Sequence, residues 1–167
     1  MNNQPMSHTL EITILSAENL STNKKSLEGN ALFVSLQSDS SNDIYSTNVD
    51  SEGGGTRNEK LVMELPLDAR FITAEVKCKA SKGTKSVGMA RIPVSDLVGH
   101  HVHQDQVQFL SYRLWDSKVE RNGVINVSVR VKVPEYAFPV MGMLVAGGGS
   151  NGVVTGIPAW LSYQGQL

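Results

Sequence analysis

Apolar and polar side chains alternate along most of residues 9–133. In the clearest stretch, 125–133, the apolar residues are Ile125, Val127, Val129, Val131 and Val133, and the residues between them are mostly polar. A period of two is that of a β-strand with one buried face. The same alternation predicts further strands at 9–16, 32–36, 44–49, 58–65, 72–79, 86–92 and 109–115.

Eight short strands separated by turns, with no long helical pattern, predict an all-β fold, namely an antiparallel β-sandwich. Residues 50–56 contain three consecutive glycines and are predicted to be a loop, because each glycine would cost a helix or strand interior roughly 0.5–1 kcal/mol. Ser95 precedes Asp96 and Leu97, which predicts a single helical turn with a serine cap at 95–98.

Residues 76–91 hold five basic side chains and no acid. The turn residues at 81–84 lie in the middle of this stretch, so we predict a hairpin with a positively charged tip. Each lysine near an anionic membrane contributes about 1 kcal/mol, which predicts an attraction on the order of 4–6 kcal/mol for six lysines. The predicted lipid-binding residues are Lys24, Lys25, Lys77, Lys79, Lys82 and Lys85. Binding of that strength is weak and needs a second contribution.

The chain has 167 residues and a net charge of −1, which fits one domain and says little about partners. Residues 7–133 are predicted to form the domain. The remaining tail, 134–167, is uncharged after Glu135 and combines apolar patches with a glycine run. It is predicted to be a flexible, disordered extension outside the domain. The alternative is a segment that docks on a membrane or partner.

The residues predict no enzyme, no cofactor and no metal site. Cys78 falls on the inward face of its strand and is predicted to be a buried structural thiol. The histidines at 100, 101 and 103 lack a further ligand at zinc spacing and are predicted to be solvated. A single cysteine, no signal-peptide pattern and no apolar run of membrane-spanning length predict a cytoplasmic location.

Several segments together resemble the C2 domain family. The first is Leu10–Ile14, a strand that is followed by Ser16–Leu20. The second is Asn58–Leu61, which follows the glycine-rich loop, and the third is Val87–Leu97, with its Ile-Pro-Val-Ser-Asp-Leu run. The resemblance implies a cytosolic eight-stranded sandwich whose loops at one end meet the membrane. Those loops correspond here to 17–30, 50–57 and 79–85.

Longer sequence segments are similar to those of small plant C2 proteins called bonzai-associated proteins. These segments include VDSEGG, NEKLVMELP and FLSYRLWDSKVERNGVINVSVRVK. This resemblance implies partners among the plant copines, binding to phospholipids, and negative regulation of defence and cell death.

Aspartates that bind calcium in C2 domains are missing from the first and third of these loops. Ca²⁺ takes six to eight oxygen ligands, mostly from carboxylates, whereas the third loop carries lysines. The sequence therefore predicts a calcium-independent, non-enzymatic adaptor that joins an anionic phospholipid membrane to a copine. The alternative is a pure protein-interaction module without direct lipid binding.

Overall fold

The computed structural model describes residues 7–22, 25–26, 31–49, 58–99 and 102–133, with only the backbone described at 25–26. The predicted tail, 134–167, lies outside the described residues. The strands are β1 (Ser7–Glu18), β2 (Ser21–Thr22), β3 (Lys25–Ser26), β4 (Leu32–Ser38), β5 (Tyr45–Ser46), β6 (Glu59–Pro66), β7 (Phe71–Ala80), β8 (Gly83–Pro93), β9 (Val107–Trp115) and β10 (Arg121–Val131). One 3-10 helix covers Val94–Asp96.

Eight of these strands build the fold, hydrogen-bonded in the order β5-β4-β7-β8-β9-β10-β1-β6, and their pairings are antiparallel. A single bridge, between Met89 and Trp115, joins β8 to β9, so the order divides there into two four-stranded layers. At the outer ends of the order, the backbone N–H of Glu64 in β6 donates to the hydroxyl of Tyr45 in β5 at 3.2 Å. The result is the predicted all-β antiparallel sandwich, closed like a barrel.

The core lies between the two layers and comes from the alternating positions of the strands. In β10, residues Ile125, Val127, Val129 and Val131 are all buried. In the facing layer, every second residue over most of β7 is likewise buried, namely Ile72, Ala74 and Val76. Fully burying a Val, Leu or Ile side chain is worth about 1.5–3 kcal/mol, so this alternation decides which face of each strand turns inward.

A short polar contact ties the 3-10 helix to β9. The Tyr112 hydroxyl donates to the Asp96 carboxylate at 2.9 Å. Burial, together with that hydrogen bond, raises the pKa of Tyr112. The predicted serine cap is wrong, because the helix begins after the extended Pro93, has no side-chain cap, and is anchored by the buried Val94.

Two other strand predictions change. The strand predicted at 44–49 pairs with β4 only at Tyr45–Ser46. Thr47 then continues the contact, because its N–H donates to the Val34 carbonyl oxygen and its hydroxyl accepts from the Val34 N–H, both at 2.9 Å. The predicted first loop contains the small β2–β3 pairing. Two-residue strands are too short for any periodicity to be visible.

Candidate functional site

The predicted basic hairpin is formed by β7 and β8. The register pairs Cys78 with Lys85 and Ala80 with Gly83, so the chain reverses at Ser81 and Lys82. Gly83 has φ +122°, a conformation that a turn needs and that L side chains rarely adopt. Lys79, Lys82 and Lys85 are all exposed. Three of the six predicted lipid-binding lysines are therefore clustered on one exposed tip.

Of the other three predicted lysines, only Lys77 has a described side chain. The ammonium of Lys77 lies 3.4 Å from the carboxylate of Glu75, and its side chain is only 27% exposed. Glu75 lies one residue before the acid-free stretch 76–91, so the charges counted over that stretch do not include this partner. Lys24 lies outside the described residues. The backbone of Lys25 pairs with Thr22 in the small β2–β3 sheet.

Cys78 is half-buried and packs against the core. Its Sγ lies 3.9 Å from the carbonyl oxygen of Lys79. The thiol is thus on the inward face, as predicted, although it is less buried than Val76 on the same strand.

A buried asparagine joins the first loop to the hairpin. The Asn122 carbonyl oxygen accepts hydrogen bonds from the Ser21 N–H at 2.9 Å and from the Ser21 hydroxyl at 3.2 Å. Its amide nitrogen donates to the carbonyl oxygens of Ser21 at 2.9 Å and Val87 at 2.8 Å. With every polar atom of the side chain bonded, Asn122 holds the first loop, β8 and β10 together at one end of the sandwich.

Gly123, the next residue, allows the backbones to come this close. Its φ is +93°, and a Cβ atom there would clash with the carbonyl oxygen of Glu18 and lie 2.9 Å from Leu20 Cδ2. Only glycine satisfies both the conformation and the space.

The β9–β10 turn lies at this same end, and sequence reasoning missed it as part of the site. One carboxylate oxygen of Asp116 accepts from the backbone N–H groups of Lys118 and Glu120, both at 2.9 Å. Val119 sits at the tip with φ +61° and a side chain that is 76% exposed. A β-branched residue at positive φ is unusual, and this one is also apolar and solvent-exposed.

The base of the second loop is held by Glu59. Its carboxylate accepts from the Asn48 backbone N–H at 2.9 and 3.0 Å and from the Asn48 amide at 3.1 Å. Residues 50–57 between these two positions lie outside the described part of the chain. Because Glu59 pairs with Ile14 near the end of β1, this loop leaves the sandwich at the end that carries the others.

This arrangement matches a known architecture. The family model of the C2 domain matches residues 8–114. The chain belongs to the C2 domain family. The structure also shows that β10, beyond the matched residues, completes the C2 sandwich by pairing with both β1 and β9.

Among characterised proteins, this C2 domain is similar to BON1-associated protein 2 from Arabidopsis thaliana. The two are 31% identical over 199 aligned residues, which cover 93% of this chain and 95% of the relative. The finer family resemblance seen in the sequence is thereby confirmed.

Solved C2 structures share the fold. A C2 domain of plant Extended Synaptotagmin 1 superposes with a TM-score of 0.60 at 16% identity, covering 78% of this chain and 97% of that one. Human GIVD cytosolic phospholipase A2 gives a TM-score of 0.61 at 12% identity, covering 80% of this chain and 17% of that one. At such identities the likeness concerns the fold alone.

Little in the described part of this C2 domain could hold a metal. The β7–β8 turn carries no carboxylate, and no group of three or more His, Cys, Asp or Glu residues that could hold an ion occurs among the described residues. His103 is exposed, whereas His100 and His101 lie outside the described residues. Nor does any helix within those residues have the length and apolar character needed to cross a membrane.

Proposed function

We propose that this C2 domain is a non-enzymatic adaptor that attaches peripherally to anionic phospholipid membranes without calcium and recruits a protein partner there. The observation that carries the proposal is the cluster of exposed cations, Lys79, Lys82 and Lys85, at the end of the sandwich that also presents the exposed Val119. Charge attracts this end to the membrane, and an apolar tip is available to enter it.

The electrostatic part of this attraction is weak. Three exposed lysines supply about 3 kcal/mol, which corresponds to a dissociation constant above about 1 mM. Lys77 adds little because Glu75 neutralises it. Lys118 and Arg121 lie in the β9–β10 turn and at the start of β10. Their positive charges are balanced by the negative charges of Asp116 and Glu120, so this segment adds no net charge to the attraction. A second contribution is therefore required.

Val119 offers that second contribution. Its side chain is 76% exposed at the tip of the β9–β10 turn, and burying a valine fully is worth at least about 1.5 kcal/mol. Trp115 at the end of β9 is 41% exposed, and tryptophan favours the membrane interface. We expect stable binding to the membrane to require both the attraction of the lysines and the insertion of Val119.

The partner in this proposal is a copine-type protein. The name of the Arabidopsis relative describes it as associated with BON1, and the identity extends over nearly the whole chain. By the same resemblance, the adaptor restrains plant defence and cell death. Expression of this chain in Arabidopsis plants that lack the relative tests that role, since failure to restore normal defence would contradict it.

Vesicle co-sedimentation tests the membrane contact. The protein is expected to bind anionic vesicles equally with and without a calcium chelator, and less at high salt because screening weakens the attraction. K79E/K82E is expected to weaken binding at least about tenfold. R70E/R91E changes the net charge equally in exposed side chains near the other end of β7 and β8, and is expected to bind as the unaltered protein does.

Two outcomes would contradict this proposal. No binding in either condition would overturn the membrane contact. Loss of binding on chelation alone would overturn calcium independence.

A second candidate is a pure protein-interaction module. Phe109 is 74% exposed and Val107 is 43% exposed on the outer face of β9, which gives a partner an apolar surface away from the lysines. If this candidate is right, Phe109→Ser abolishes capture of the copine-type partner, while K79E/K82E leaves membrane association in cells unchanged.

A further inference from the structure

The tip of the β7–β8 hairpin projects from the sandwich. All eight residues from 79 to 86 are exposed, whereas a strand that packs on a core alternates between exposed and buried positions. Burial begins again only at Val87, which is 4% exposed. Both faces of the hairpin are therefore open to solvent at its tip, and an enzyme can reach the chain there from either side.

Ser81 occupies the turn of this hairpin. The last residues paired across it are Ala80 and Gly83, so Ser81 and Lys82 alone lie outside the ladder. A kinase binds the segment around its acceptor in a conformation that the enzyme dictates. Because Ser81 stands outside the strand pairing, the hairpin has to open little to present this exposed hydroxyl.

The charges around Ser81 are positive. Lys79 precedes it by two residues, Lys82 follows it directly, and Lys85 lies on the returning strand, while the stretch 76–91 contains no acid. Within the described residues, none of these three lysines takes part in an ion pair. Ser81 therefore lies in a local surplus of positive charge that no acid of its own segment offsets.

Ser40 is also exposed, but it has different neighbours. It follows Asp39 directly, in the turn after β4. Because Ser38 pairs with Ile72 near the start of β7, this turn lies at the end of the sandwich away from the hairpin tip. Kinases discriminate between substrates by such charge patterns, so an enzyme that selects basic segments favours Ser81 over Ser40.

We propose that Ser81 is a phosphorylation site for a serine/threonine kinase that selects basic segments, and that its phosphate releases the hairpin from the membrane. The inference rests on the proposed membrane function and adds a regulation of the same lysines. In the transfer, the Ser81 hydroxyl oxygen bonds to the γ-phosphorus of ATP held by the kinase. The bond from that phosphorus to the β,γ-bridging oxygen breaks, ADP leaves, and the hydroxyl proton passes to a base of the kinase.

The phosphate removes much of the attraction of the tip. A phosphoserine carries about −1.5 to −2 charges at pH 7, so the three lysines together with the phosphate keep only about one positive charge. The phosphate oxygens also accept hydrogen bonds from neighbouring ammonium groups, which withdraws those lysines from the lipid. The affinity for anionic vesicles is therefore expected to fall at least about tenfold.

The full chain with phosphoserine incorporated at a chosen position tests this effect. Ser81→phosphoserine is expected to co-sediment at least about tenfold more weakly with vesicles of equal parts phosphatidylglycerol and phosphatidylcholine. Ser40→phosphoserine adds the same charge at the other end of the sandwich and is expected to bind as the unaltered protein does. Treatment of the first variant with alkaline phosphatase is expected to restore its binding.

The acceptor itself is tested with the catalytic fragment of protein kinase C, which selects hydroxyls flanked by basic residues. After incubation of the full chain with this kinase and ATP, mass spectrometry is expected to locate phosphate at Ser81 and none at Ser40. Ser81→Ala is expected to bind vesicles as the unaltered protein does and to keep that binding after the kinase treatment.

The outcomes separate this inference from the proposed function. Equal vesicle binding by Ser81→phosphoserine and the unaltered protein overturns the release. Absence of phosphate at Ser81, or its appearance at Thr84 instead, overturns the acceptor. Each of these results leaves the proposed membrane function standing, whereas absence of vesicle binding by the unaltered protein overturns both.

Discussion

Asn122 and Ser21 are joined by three hydrogen bonds, although they stand 101 positions apart in the chain. This contact brings the first loop against β10, and the hydrogen bond from Asn122 to Val87 adds β8. Asn122 also lines a polar cleft between the first loop, the start of β8 and the β9–β10 turn.

Replacing Asn122 tests that dependence. Asn122 is 6% exposed, so Asn122→Ala leaves the Ser21 N–H and the Val87 carbonyl without their partner. We expect a loss of about 2–3 kcal/mol in the free energy of unfolding, because unsatisfied buried polar groups carry that cost. Urea denaturation measures it. Asn42→Ala, at an exposed position, serves as control, and equal stability of the two variants would contradict the role of Asn122.

Two glycines with positive φ allow a matched comparison. A Cβ atom at Gly123 would clash with the Glu18 carbonyl, whereas one at Gly83 would meet nothing within 4 Å. We expect Gly83→Ala to cost about 1 kcal/mol from backbone strain alone, and Gly123→Ala to cost more than about 3 kcal/mol, because the strands must also separate. Thermal unfolding of both variants measures the difference, and comparable costs would show that close approach is unimportant.

Val119 combines strain with exposure, which predicts effects of opposite sign on stability and binding. Asparagine tolerates positive φ better than a β-branched residue does. Val119→Asn is therefore expected to raise the free energy of unfolding by about 1 kcal/mol while weakening the affinity for anionic vesicles. Val62→Asn, at a residue 53% exposed in β6, should lower stability and leave vesicle binding unchanged. If Val119→Asn binds vesicles as well as the unaltered protein, the turn does not enter the membrane.

Glu11 makes stability depend on pH. Its carboxylate lies 3.2 Å from Lys60 and 3.5 Å from Lys132. The hydrogen bond from Lys60, assisted by the charges of both lysines, holds the pKa of Glu11 below its ordinary value of 4.5 against the opposing effect of burial. A pKa lowered by folding stabilises the fold above the ordinary pKa, and this contribution is lost as pH falls through the folded value.

Glu11→Gln is accordingly expected to be less stable than the unaltered protein near neutral pH. The difference should close as the pH falls below about 4. Denaturant unfolding at a series of pH values measures the gap, and a gap that persists in acid would mean that the ion pairs are not its cause.

Most of the sandwich could be predicted from the alternation of residues. Side chains on a strand face opposite sides with a period of two, so Ile125 and Val127 identify a buried face without knowledge of their neighbours. The limits of that signal appear at β2 and β3, which are two residues long and leave no period to detect. At β5 the alternation predicted the strand but not its extent, since only Tyr45–Ser46 of the predicted 44–49 pair with β4.

The candidate site was predicted only in part. The lysines of the hairpin tip are close together in sequence, and their charge is visible there. The ion pair of Lys77 with Glu75 joins residues two apart on β7, so it is a local contact that lies just beyond the acid-free stretch. The approach of Lys118 and Arg121 to Lys85 depends on which strands lie side by side.

By itself, the sequence determined an antiparallel sandwich of the C2 family and a hairpin with a basic tip, because both follow from residues close together in the chain. Only the tertiary structure decided that Ser21, Lys85 and Arg121 line one cleft and that the β9–β10 turn lies at the same end. The physical reason is that strand pairing and the buried hydrogen bonds of Asn122 join segments that are distant in the chain. No local pattern records such contacts.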